Sequence, residues 1–250
     1  MAATNEITDT TEASPLAHWE TIWDDAAASL DRYGNALLPS LLRPDQCASL
    51  ATLYPRDDCF RSRVVMARHN FGRGEYKYFA YPLPPFLDKL RHALYRRLAP
   101  IANRWNQQAG VDVQYPADLA AFLARCHAAG QTRPTPLMLR YGAGDYNCLH
   151  QDLYGEHVFP LQVAILLSAP GEDFTGGEFV MTETGSSGQH AEVVPLTQGD
   201  AVVFAVNERP MVAGRARKVA MRHGVSVVRS GTRHTLGIIF HDAREPSASA

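Results

Sequence analysis

The chain has 250 residues, 46% hydrophobic and 20% charged, with a formal net charge of -2. That composition supports a buried core and excludes a disordered or fibrous protein, and near-neutrality excludes a global field holding the whole molecule on DNA or an anionic membrane. Its four cysteines, Cys47, Cys59, Cys126 and Cys148, form no CxxC pair and suit reduced thiols rather than a disulfide framework.

Residues 1–14 are small, polar and without period, and are expected to be disordered. No apolar run approaches the ~20 residues of a bilayer span and none follows the Thr-rich start, so the chain is expected to be cytoplasmic, with no membrane partner. From Pro15 to about Arg32, Leu16, Trp19, Ile22, Trp23 and Ala26 recur at helical spacing. Pro44 to Leu53 predicts a second helix with proline in its first turn. The longest helical pattern runs from about Pro85 to Gln108, with Phe86, Leu87, Leu90, Leu94 and Leu98 on one stripe, and Pro100 is expected to break or kink it. A short helix at about Ala117–Ala129 ends the first half.

After Gly130, runs rich in Val, Ile, Leu and Phe are punctuated by Gly, Ser, Asp and Pro. They predict strands at about Pro136–Tyr141, Leu161–Ser168, Glu178–Glu183, Ala191–Pro195, Ala201–Val206, Lys218–Val228 and Arg233–Phe240. Short strands without intervening helices predict an antiparallel sandwich or barrel with the earlier helices outside one sheet. The fold class is then α+β with a mainly β core. No linker divides the chain: a single domain is expected over 15–243, helical and substrate-facing over 15–130 and β over 131–243, with a flexible tail at 244–250.

The sharpest local signal is His150-Gln151-Asp152. Residues i and i+2 of an extended segment point to one side, so an imidazole and a carboxylate there can grip one ion. Two histidines and a carboxylate on one face of a metal leave open positions, the arrangement of non-haem iron(II) oxygenases. The third ligand comes from His157, His190, His223, His234 or His241. His190 lies in the polar run TGSSGQH, where a solvated side chain is expected. His223 opens HGVSVVRSGTRHTLGIIF, read as two strands joined at Ser230-Gly231-Thr232. In that register residues 227 and 233 are opposite, and Arg233 lies about 13 Å of strand from His223, a gap that a metal-bound ligand and a guanidinium bridge. Arg233 and Thr235 share a strand face and suit the far carboxylate of a small diacid such as 2-oxoglutarate. The alternative pair, His234 with Arg244, has the same spacing but leaves Arg244 in a tail with no strand, which ranks His223 first and His234 and His241 as structural or supporting residues.

With RYGAGDYNCLHQD, VAILLS, GGEFVMTE, GDAVVF and HGVSVVRSGTRHTLGIIF in this order, about Pro136–Ala243 resembles the iron(II)/2-oxoglutarate-dependent dioxygenase superfamily, most closely its AlkB-like and prolyl-hydroxylase-like branch. The resemblance implies a double-stranded β-helix (jelly roll), with His150, Asp152 and His223 as ligands of iron(II) and Arg233 as the anchor of 2-oxoglutarate, the cosubstrate beside O2. It also implies Tyr141 and Thr235 near that cosubstrate. The AlkB-like group often carries a second arginine six residues beyond Arg233, where this chain has Ile239.

Residues 60–78 hold Arg61, Arg63, Arg68, Arg73 and Lys77 against one acid, Glu75, with aromatics interleaved. That mixture offers phosphate contacts and stacking rings. Arg209, Arg215, Arg217, Lys218 and Arg222 form a second basic run. The expected substrate is an alkylated DNA or RNA base that is oxidatively dealkylated, with Arg68, Tyr76 and Tyr78 as its contacts. Hydroxylation of a protein side chain or a small molecule is the second reading, and a non-catalytic jelly-roll binding module the third.

Overall fold

The computed structural model describes residues 22–152, 155–185, 188–211 and 218–244. The expected disorder at 1–14, Leu16 and Trp19 of the first predicted helix, Arg215 and Arg217, and all but Arg244 of the expected tail lie outside these. The helices are α1 (Ile22–Tyr33), α2 (Pro44–Ala51), α3 (Pro85–Gln108) and α4 (Leu119–Ala128). Strands β1 (Asn35–Leu38), β2 (Phe60–Val65), β3 (Gly72–Arg73) and β4 (Glu75–Phe79) precede α3. After α4 come β5 (Gln131–Arg133), β6 (Leu137–Gly142), β7 (Tyr146–His150), β8 (Leu161–Leu166), β9 (Phe174–Gly176), β10 (Phe179–Gly185) and β11 (Gly188–Val194). The chain continues through β12 (Ala201–Ala205), β13 (Glu208–Pro210), β14 (Lys218–Val225), β15 (Val228–Ile238) and β16 (Ala243–Arg244).

Two antiparallel sheets form the jelly roll. The larger runs β1-β12-β8-β15-β6-β4-β2 with β9 beside β15, and the smaller runs β11-β10-β14-β7-β3 with β13 beside β14. The first half is therefore not helical throughout, because β1, β2 and β4 extend the larger sheet. Its charged strand β4 escaped the sequence pattern because Lys77 is buried, donating to the Tyr54 carbonyl at 2.9 Å and the Asp57 carboxylate at 2.7 Å.

Alternation along the strands divides the larger sheet into two faces. Tyr76, Leu139, Thr235 and Leu166 align across β4, β6, β15 and β8, and Tyr141 pairs with Arg233. Lys77, Met138, Leu236 and Ile165 form the alternate row. Met138, Leu236 and Ile165 belong to the same apolar cluster as Leu87, Leu90, Leu94, Leu98 and Trp105 of α3. Their three- and four-residue spacing makes one helical stripe, and each such side chain contributes roughly 1.5–3 kcal/mol on full burial. The helix runs through Pro100 without the break that was one of the two expected outcomes. Proline there deprives the Arg96 carbonyl of its partner, but both residues face solvent, where water replaces it.

The expected hairpin turn at Ser230–Thr232 is absent. β14 and β15 lie in different sheets, the chain crosses between them at Ser226-Val227, and Ser230 and Gly231 pair with β9. Gly231, at φ 77°, approaches this neighbour so closely that a Cβ would stand 1.9 Å from the Asp173 carbonyl oxygen. Its glycine marks a backbone contact rather than a turn.

Beyond β15, the fully buried Arg91 of α3 donates to the carbonyls of Ile239 and Phe240 at 3.0 and 3.1 Å and to Asp242 Oδ1 at 3.0 Å. Asp242 also accepts from Tyr81 at 2.9 Å and lies 2.8 Å from His127 Nε2. Asp242→Ala leaves Arg91 buried and uncompensated, and is expected to cost about 3–5 kcal/mol in urea unfolding. Between them His241 Nδ1 accepts from the Phe159 amide at 3.2 Å. Burial, helped by the Arg91 charge, pushes His241 down to about 4 from an ordinary 6.5. The unfolded chain then takes the proton first, so stability is complete above the ordinary value and falls as pH drops towards about 4. The expected loss is about 3 kcal/mol, read as the fall in urea midpoint from neutral to acid pH. His241→Leu should flatten that fall, and an equally steep fall in the variant would exclude His241 as its source.

Candidate metal centre

β7 and β14 bring the three sequence-predicted ligands together. His150 and His223 are register partners, and one step away the pairing shifts so that Val225 faces Asn147. Three residues of β7 thus span two of β14, a bulge that re-aims side chains. Asp152 follows immediately beyond the strand. Nitrogen or oxygen atoms of His150, Asp152 and His223 lie within 4.8 Å of one another, and the group is partly or fully buried. Asp152 sits between the imidazoles, with Oδ1 3.6 Å from His150 Nε2 and Oδ2 3.5 Å from His223 Nε2. The intervening Gln151 turns the other way, and its Nε2 donates to the carbonyls of Asn207 at 3.1 Å and Met221 at 2.9 Å, pinning the segment to β14.

Each imidazole is oriented from behind. His150 Nδ1 lies 2.8 Å from the Cys148 carbonyl, so it carries the proton and leaves Nε2 as a lone-pair donor. The His223 ring is flanked by Phe204 at 4.4 Å and Phe179 at 6.0 Å. Burial, then the neighbouring His223, push His150 below its ordinary value, which keeps it neutral. Neutral imidazoles and an ionised carboxylate are the donor set a divalent transition metal needs.

Arg233, Thr235 and Tyr141 stand together on the inward face of the larger sheet. Arg233 is 1% exposed, its guanidinium 5.7 Å from the Tyr141 ring centre and 5.8 Å from that of Phe174. Its Nη1 donates to the Thr235 hydroxyl, but its Nε has no hydrogen-bond partner among the described residues. Among the described residues no carboxylate reaches ion-pair distance of Arg233, and burial pushes the guanidinium down to about 10. Buried charges are ordinarily paired, so this one defines a place for an anion. Metal-ligand geometry and an unpaired anion receptor in one interior fit a metal ion with a carboxylate cosubstrate.

Of the sequence-predicted substrate contacts, Tyr76 lies closest. It packs half-buried with Met66, Tyr141 and Leu166, and burial raises its hydroxyl, aided by the Asp152 charge. Tyr78 stands edge-on to Tyr76 at 5.3 Å and carries the Arg61 guanidinium 4.4 Å above its ring. Arg68 is exposed at the end of a single 3-10 turn, Met66–Arg68. The basic run is largely spent on internal pairs: Arg63 on Glu75, Lys77 on Asp57, and Arg73 on Asp145 at 4.0 Å. In the second run Arg209 pairs with Glu183 and Lys218 with Glu208. The other histidines stand apart from the cluster: His190 is on β11 opposite Glu183 rather than in a loop, and His234 meets the Tyr54 ring at 5.5 Å. Sequence reasoning missed Gln162, whose buried Nε2 also lacks a partner. A polar residue inside the apolar run LQVAILL was the available signal.

Residues 74–243 match the model of a family described as an oxygenase catalysing oxidative methylation of damaged DNA. An uncharacterised protein of Mycobacterium tuberculosis, strains H37Rv and CDC 1551, is 48% identical over 167 residues, covering 66% of this chain and 72% of the relative. A Pseudomonas putida prolyl-4-hydroxylase superposes with a TM-score of 0.53 at 16% identity, covering 89% of this chain and 100% of that one. A Burkholderia pseudomallei oxidoreductase of the 2OG-Fe(II) oxygenase family gives 0.51 at 17%, covering 89% and 92%. The prolyl hydroxylase of Trichoplax adhaerens, solved with a hypoxia inducible factor peptide, gives 0.55 at 12%, covering 93% and 94%. These three share the fold.

An unpaired buried cation destabilises the ligand-free protein. Arg233→Met, which keeps an apolar stem of similar length, is expected to raise ligand-free stability by about 1–3 kcal/mol in urea unfolding. A loss of similar size would mean that Arg233 has a stabilising partner.

Proposed function

The chain belongs to that oxygenase family, within the iron(II)- and 2-oxoglutarate-dependent dioxygenase superfamily, and on this premise we propose that it removes methyl groups oxidatively from damaged nucleic-acid bases. In this reading His150, Asp152 and His223 hold the iron, and Arg233 with Thr235 receives the far carboxylate of 2-oxoglutarate, beside Tyr141. When bound, the metal, cosubstrate and O2 supply oxygen insertion into a C–H bond with release of succinate and CO2. The observation that carries the proposal is the unpaired, buried Arg233 facing the interior that also contains the His-Asp-His cluster.

The protein's own part is positioning. Cys148 fixes the proton of His150, Gln151 fixes the segment between the ligands, and Phe204 and Phe179 shield His223 from water. Tyr76 and Tyr78, with Arg61 over the latter, offer rings on which an extruded base stacks. Hydroxylation of an N-methyl group gives a hemiaminal, which releases formaldehyde and leaves the N–H base. Oxygen insertion therefore takes a methyl group away, and this supports dealkylation as the direction on this chain. The cytoplasm is the compartment this substrate and the reduced thiols suit.

The test is incubation with iron(II), 2-oxoglutarate and O2 on N-methylated single-stranded oligonucleotides, reading formaldehyde and the repaired base. Methyl removal equimolar with succinate is expected. Succinate formation unstimulated by any methylated oligonucleotide, but stimulated by a peptide, would replace the nucleic-acid reading with side-chain hydroxylation. Tyr76→Ala and Tyr78→Ala should raise the oligonucleotide KM while uncoupled 2-oxoglutarate turnover persists. Because Arg63, Lys77 and Arg73 pair internally and Arg61 donates to the Pro134 carbonyl and lies over Tyr78, the run offers about one phosphate contact, and log K against log salt should have a shallow slope of about -0.7 on single strands. A slope several times steeper would place the nucleic acid on another surface.

A further inference from the structure

Gln162 lies on β8 with 4% of its surface exposed, and its side-chain Nε2 has no hydrogen-bond partner among the described residues. Its surroundings follow from register. Across the larger sheet Asn35, Phe204 and Gln162 form one row through β1, β12 and β8. Across the smaller sheet Glu192, Met181, His223 and His150 form another through β11, β10, β14 and β7. The rows face each other: Asn35 Nδ2 donates to Glu192 Oε2 at 2.9 Å, and the Phe204 ring lies 4.4 Å from that of His223. One strand further along, Gln162 is therefore opposite the two histidines. A buried amide donor without a partner is rare in folded proteins and asks for an explanation.

We propose that Gln162 is a cosubstrate-positioning residue, its Nε2–H donating to the metal-proximal carboxylate of the 2-oxo acid. The inference rests on the functional reading above and adds to it a second contact at the opposite end of the same ligand. Thr235 is the register partner of Leu166, four residues from Gln162 on β8. That is about 13 Å of strand, a length that a five-carbon diacid and a glutamine side chain placed end to end cover. Arg233 with Thr235 then sets one terminus of the ligand and Gln162 the other.

The test uses Gln162→Met, which keeps length and volume but removes the donor, and Gln162→Glu, which opposes a carboxylate with another. Both are compared with the wild type after a thermal melt establishes that they fold. Manganese(II) affinity, measured without cosubstrate, should stay within twofold in the Met variant. The dissociation constant of 2-oxoglutarate on the manganese protein should rise about tenfold there and further in the Glu variant. The visible charge-transfer band of the anaerobic iron(II) complex should shift in energy, which a merely structural role would not cause. An unchanged dissociation constant and band in folded Gln162→Met would overturn the assignment while leaving the proposed function in place. Failure of the wild type to bind 2-oxoglutarate at all would overturn the function, and this assignment with it.

Discussion

A guanidinium buried with no carboxylate at ion-pair distance among the described residues is the constraint around which this interior is arranged. Arg233 is enclosed by Tyr141 and Phe174, with the Thr235 hydroxyl as its one side-chain acceptor among the described residues. Removing a charge from water is costly unless a partner replaces the solvent. Arg91 shows the alternative in the same molecule: equally buried, it is satisfied by Asp242 and two backbone carbonyls. Arg91 is a clamp between α3 and the end of β15, and the absence of a carboxylate within ion-pair distance among the described residues is what sets Arg233 apart from it. His223 and Gln162 share the deficit, each with a buried polar atom that has no partner among the described residues.

Two faces of one sheet divide the work. The outward row of the larger sheet joins the apolar stripe of α3, which supplies much of the burial that stabilises the fold. The inward face carries Tyr141, Arg233, Thr235 and Gln162 among its apolar residues, buried polar side chains whose arrangement costs stability. The smaller sheet completes the interior with its bulged strand β7, where a register shift lets His150 meet its partner on β14. The crossing of the chain between sheets at Ser226-Val227 places His223 and Arg233 on different sheets.

Much of this was legible in the sequence. The extents of α2 and α3 and all seven predicted strands followed from apolar periodicity, and His150 with Asp152 from the H-x-D spacing, whereas His223 was ranked through a hairpin register that the fold lacks and joins the cluster through the pairing of β14 with β7 instead. The strands of the first half were not legible, because β4 alternates tyrosines with a lysine whose burial depends on Asp57, twenty residues away in the chain. The basic run misled for the same reason: sequence counts charges but not the partners that folding brings to them. The link from β14 to β15 was read as a hairpin because glycine marks both a turn and a close backbone approach, and only the structure tells which. Gln162 sat unnoticed because one polar residue in an apolar strand has no meaning until the facing row is known.

The most direct measurement of the central claim is an anaerobic titration of iron(II) and 2-oxoglutarate into the wild type and Asp152→Ala, followed by visible absorption. A charge-transfer band in the wild type alone is the expected result, since chelation of the 2-oxo acid requires a metal held by all three side chains. No band in either protein, with no binding of 2-oxoglutarate, would contradict it and leave the buried arginine without its ligand.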